Sequence, residues 1–132
     1  DFKALKKISK GRSESFINLS TRDFKCLENK NLIAIDFGMI SYFSNSFILD
    51  PSGLVNGRDL AKSTMDERMN IFLKNRKVEY AFLNDEQIED LEKYLDLRKW
   101  ETMGSYKFPN FRKNSDDVHY LLKSPETQPC DR

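Results

Sequence analysis

Apolar and polar positions change period several times along this chain, and each change marks an element. Leu32-Ile33-Ala34-Ile35 and Phe47-Ile48-Leu49 are short apolar runs that close on aspartates, Asp36 and Asp50. Runs of that length bounded by turn residues predict buried strands. Phe37-Gly38 and Pro51-Ser52-Gly53 follow them directly, and the aromatic segment Met39 to Phe43 between them reads as one or two helical turns. Farther on, Met65, Met69, Phe72 and Leu73 fall on one face at helical spacing. Thr64 with Glu67 makes a capping box ahead of them, and Lys74-Asn75-Arg76-Lys77 closes the helix with cations suited to its C-terminal dipole. Val78 to Leu83 is the next strand. Asn84 with Gln87 opens another helix, whose apolar stripe is Ile88, Leu91 and Leu95. Residues 98–108 alternate loosely, Val118 to Leu122 form a last apolar run, and the turn-like residues between them predict an antiparallel pair. Ahead of the first strand, Ser20-Thr21 predicts the cap of a helix with Phe24 and Leu27 facing inward and Asn29-Lys30-Asn31 as its end.

Strands alternating with helices and finishing in an edge pair define an α/β fold. The expected architecture is one small domain over residues 13–123, in two or three layers. Its mixed sheet has about four or five strands, a Rossmann-like parallel start and an antiparallel edge. Residues 1–12 carry Lys3, Lys6, Lys7, Lys10 and Arg12 against one acid, with Phe2, Leu5 and Ile8 at a spacing of three. They read either as a short amphipathic contact for an anionic surface or as a solvated terminus. The polar segment 124–132 is expected to be disordered.

Composition narrows the partners. A chain of 132 residues has length for one core, and a net charge of +1 gives no argument for nucleic acid. No run approaches the ~20 apolar residues of a membrane span. The chain opens on Asp1 rather than methionine, so a piece of a longer or processed polypeptide is expected. Cys26 and Cys130 make no CxxC and, with His119 as the one histidine, no zinc set. They are read as bystanders, with a long-range disulfide left open.

Asp36 and Asp50 stand at the carboxyl ends of their strands, the edge where α/β sheets usually hold ligands. Together they could bind a divalent metal or act as acid and base. Each could equally cap the turn after its strand, where aspartate commonly bonds nearby backbone N–H groups. Gly38, Tyr42, Gly53 and Asn56 accompany them as candidate ligand-binding or turn residues. No third acid or histidine at a telling spacing completes a metal site, no cofactor is implied, and the phosphate-loop, nucleophile-elbow and zinc-helix motifs are missing. His119 alternates with apolar neighbours and reads as a half-buried sheet residue. Tyr42, Phe43, Tyr106 and Phe108 read as packing residues before they read as a sugar or base platform.

Five parts in order carry a family resemblance: Asp36-Phe37-Gly38, Ser41-Tyr42-Phe43-Ser44, Ile48-Leu49-Asp50, Gly53-Leu54-Val55-Asn56 and Val78-Glu79-Tyr80. Over residues 30–83 the chain resembles the C-terminal soluble domain of bacterial polytopic membrane glycosyltransferases of the GT-C type. Ile40 and Ser41 depart from the small residue usual before the Tyr-Phe part, and Pro51-Ser52 fill a variable position. The resemblance implies an extracytoplasmic, periplasmic domain attached to a membrane-embedded portion of the same polypeptide. The parent would be a glycosyltransferase with a polyprenyl-phosphate-linked sugar donor. Its catalytic acid would lie in an early loop beside the first membrane helices, so this segment would be non-catalytic, positioning a glycan or lipid-linked sugar or bracing the membrane part. The residues themselves also suit a stand-alone small α/β binding or regulatory domain, or a metal-dependent enzyme using Asp36 and Asp50.

Overall fold

A computed structural model describes residues 23–35, 44–51, 64–110 and 114–130. The basic segment 1–12 and the expected Ser20-Thr21 cap lie outside them. In order, the elements are α1 (Phe24–Leu27), β1 (Asn31–Ala34), β2 (Phe47–Leu49), α2 (Met65–Asn75), β3 (Tyr80–Asn84), α3 (Asp85–Leu91), a 3-10 turn (Leu97–Lys99), β4 (Glu101–Asn110) and β5 (Ser115–Lys123). The five strands form one sheet in the order β2-β1-β3-β5-β4. β1 pairs parallel with both β2 and β3, while β5 pairs antiparallel with β3 and β4. This is the α/β sheet expected, with its parallel start and its antiparallel edge.

The central strands are apolar on both sides because both faces are covered, as in sheets with a parallel core. Along β1, Leu32 and Ala34 join one apolar cluster and Ile33 the other. Along β3, Tyr80 and Phe82 alternate in the same way with Ala81 and Leu83. The first cluster packs under α1 and includes Leu27, Tyr106 and Leu121. The second packs under α2 and α3 and includes Met69, Phe72, Leu91 and Leu122. The outer strands solve the edge problem differently. β2 is three residues long, and β4 carries Pro109, which has no N–H to offer a further strand.

Local chemistry starts the helices where the sequence places them. Thr64 Oγ1 accepts from Glu67 N at 3.2 Å, and Glu67 Oε2 accepts from Thr64 N at 3.3 Å. Asn84 Oδ1 accepts from Gln87 N at 2.8 Å, and Gln87 Oε1 accepts from Asn84 N at 3.0 Å. Each box satisfies backbone donors that a helix start leaves open. At the end of α1, Asn29 takes a positive φ of 60°, the turn expected before β1. The helix itself is one turn with Asp23 at its N-cap, later than the Ser20-Thr21 start predicted. α3 stops at Leu91, so Leu95 leaves the helical stripe and reaches the second cluster from the following turn. Leu73, expected on the inner face of α2, is 40% exposed.

Two expectations about the ends of the chain are corrected. Cys26 and Cys130 are not bystanders: they form a disulfide across 104 residues, with Cα atoms 5.7 Å apart. The sheet order brings the end of β5 back toward α1, which places the two thiols in reach. The segment after β5, expected to be disordered, is instead fastened along residues 124–130. Ser124 N donates to Glu79 O at 3.0 Å, and Thr127 Oγ1 lies 2.6 Å from Ser124 Oγ. The buried Lys123 Nζ donates to Thr127 O at 2.8 Å and Ser124 O at 3.2 Å. Its polarity is spent on these bonds, so a polar composition here does not mean a solvated tail.

Candidate functional site

The candidate residues taken from the sequence fall into two groups. Asp36, Gly38, Tyr42, Gly53 and Asn56 lie outside the described residues, so the pairing of Asp36 with Asp50 has no described geometry. Asp50 is described. It follows the carboxyl end of β2 and is fully buried. Among the described residues, no group of three or more His, Cys, Asp or Glu side chains converges on a point that could hold a metal.

His119 is more deeply enclosed than the half-buried sheet residue expected, at 5% exposure. It pairs across the sheet with Asn84 and Tyr106. Its ring lies 5.2 Å from that of Phe82 and stands edge-on to Phe108 at 5.5 Å. Burial holds its pKa below the 6.5 of an ordinary imidazole, with the Asp117 charge pulling weakly the other way. Tyr106 and Phe108 are core residues, as expected. The Tyr106 hydroxyl donates to the fully buried Asp23 carboxylate at the start of α1, which ties β4 to the α1 face. These groups pack within the first apolar cluster or against its rings.

Among the described residues, a concave surface lies elsewhere. A cleft of about 530 Å³ opens at the amino end of β3, the end of the sheet opposite Asp50. Four segments meet there: the last turn of α2 with the residues after it, the turn after α3, the 3-10 turn, and the pinned segment after β5. Leu73, Val78, Leu95 and Trp100 give the cleft its apolar surface. Its rim carries the cations Lys74, Arg76, Lys77 and Lys99 and the carboxylates Asp96 and Glu126. Lys77 pairs with Glu126 at 3.1 Å and Lys99 with Asp96 at 3.1 Å, both well exposed. Arg76 lies over the Phe47 ring at 5.1 Å and donates to Asn31 Oδ1 at 3.4 Å.

The architecture that holds this cleft runs through Glu79. Its carboxylate accepts from Asn31 N at 3.2 Å and sits 3.6 Å from Lys30 Nζ, while its own N–H donates to Asn31 O at 3.0 Å. Glu79 O in turn receives Ser124 N, so the start of β1, the start of β3 and the last segment share one residue. The sequence showed Lys74-Asn75-Arg76-Lys77 as a helix end and Trp100 as part of the edge segment 98–108. Nothing in their spacing joins them, because the turn after α3 is what folds one against the other.

A family model described as a domain of unknown function, DUF8728, matches residues 18–122. No curated protein and no solved structure matches the chain.

Proposed function

The chain belongs to the DUF8728 family, and we propose that it is a non-catalytic, extracytoplasmic domain of a membrane-embedded glycosyltransferase. In that role it positions the acceptor of a polyprenyl-phosphate-linked sugar or braces the membrane helices from outside. The observation that carries the reading is the Cys26–Cys130 disulfide. Disulfides form and persist in oxidising compartments and are rare where glutathione keeps thiols reduced. The sheet adds support. Ile48-Leu49-Asp50 and Val78-Glu79-Tyr80, two parts of the resemblance to GT-C soluble domains, run into parallel neighbours of the same strand β1. Among the described residues no helix is long and apolar enough to cross a membrane, so in this reading the spans belong to another part of the polypeptide.

The test uses the parent gene product with a C-terminal tag in its own host. The expected result is a protein that fractionates with membranes, loses its tag when protease is added outside the inner membrane, and offers no thiol at Cys26 or Cys130 to a maleimide until reduced. A protein recovered from the cytosol with both thiols reactive would overturn the reading.

A further inference from the structure

We propose that the cleft at the amino end of β3 binds a short acidic saccharide. Three observations lead there. The first is the pairing of an aromatic and apolar surface, Trp100 with Leu73 and Leu95, with a rim of donors and acceptors on several segments. A sugar ring presents C–H faces that pack on aromatic surface and hydroxyls that both donate and accept. Asn75, Asp96, Glu126 and the backbone carbonyls at the end of α2 supply acceptors, and the lysines supply donors. The second is charge. Four cations face two carboxylates, an excess of positive charge in a chain whose net charge is only +1. Two of the cations are held in exposed pairs, which contribute little and exchange readily for a ligand's own groups. The Lys74 side chain is exposed in the cleft lining beside Leu73, placed for an anionic substituent on the ring. The third is size: about 530 Å³ lies within the roughly 300–1,000 Å³ typical of small-molecule sites and suits one or two pyranose rings.

This cleft deepens the acceptor-positioning half of the proposed function and rests on that reading for its biological setting alone. A cytosolic parent whose cleft binds acidic saccharide would overturn the former and keep the latter.

Trp100 is the chain's one tryptophan, so its emission reports the cleft directly. The purified chain is titrated with digalacturonate, with its neutral methyl ester, and with inorganic phosphate, and calorimetry on the same solutions registers any binding that leaves the emission unchanged. The expected result is saturable binding of the acid, weaker binding of the ester by about fivefold, and loss of that difference at about 0.5 M salt. A Lys74→Glu variant, altered at an exposed position, should keep the fold, melting only slightly below the parent chain for loss of a cation at the α2 C-terminus, and bind the acid at least about fivefold more weakly. Trp100→Phe should keep the fold and weaken both sugars in calorimetry. No saturable binding of either sugar, equal binding of acid and ester, phosphate matching the acid, or titrations unchanged by Lys74→Glu would each overturn the proposal.

Discussion

At the scale of single residues, burial of a polar group has a measurable consequence at His119. Its imidazole is enclosed by Phe82 and Phe108, and desolvation lowers its pKa below 6.5. In the unfolded chain the same ring titrates at its ordinary value. As pH falls through 6.5 the unfolded state therefore takes up a proton first, and stability that is fully present above that value is lost. Denaturant melts at pH 7.5 and pH 5.5 should show a smaller loss for His119→Phe than for the parent chain. Equal losses in both would remove His119 as the cause. Little of this was legible beforehand. The alternation around His119 indicated a sheet position, but its degree of burial follows from two aromatic rings contributed by other strands.

At the scale of elements, the starts of α2 and α3 were readable because a capping box is local, while the start of α1, which has no side-chain cap bond, was placed too early. The Thr64–Glu67 and Asn84–Gln87 boxes need only four residues to satisfy their own backbone donors, and both form. Thr64→Ala should cost about 1 kcal/mol in urea denaturation, since it removes an exposed cap and touches nothing in the core. Thr64→Ser should restore most of it. An unchanged midpoint for the alanine variant would mean that packing of Met69 and Phe72 alone sets the helix. Element ends were less legible. β5 runs from Ser115 rather than Val118, because β4 extends it by pairing as far as Asn110 with Ser115. Hydrogen bonds to a neighbouring strand can recruit polar residues that no apolar pattern marks. A shift in register between Thr102 and Gly104 belongs to the same class of tertiary effect. There Gly104 lies against Tyr106, and a Cβ would come within 3.2 Å of its hydroxyl.

At the scale of the whole molecule, the disulfide and the Glu79 node fasten the end of the chain to both faces of its beginning. Cys26→Ser or Cys130→Ser should lower stability by about 2–5 kcal/mol, the range for closing long loops. The loss should appear as a lower melting temperature in non-reducing buffer, matched by the parent chain only after reduction. A melting temperature that neither substitution nor reduction changes would mean that Lys123, Ser124 and Thr127 hold the last segment unaided. Because Ser124, Pro125 and Glu126 form one wall of the cleft, this covalent tie also fixes the shape of the surface proposed to meet saccharide.

The sequence by itself determined the α/β class, the parallel start, the antiparallel edge pair and the capped helices. Periodicity and capping are properties of neighbouring residues, and a strand apolar on both sides already implies covering layers. It also carried the resemblance from which the glycosyltransferase proposal comes. Tertiary structure alone decided the rest. The disulfide joins residues 104 apart, the polar last segment is ordered by Glu79 just ahead of β3, and Asp50 is buried. The cleft is assembled from four segments whose common location depends on how α3 and its turn fold back across the sheet. A pairing or a concavity between distant segments is a property of the path between them, and no local pattern records that path.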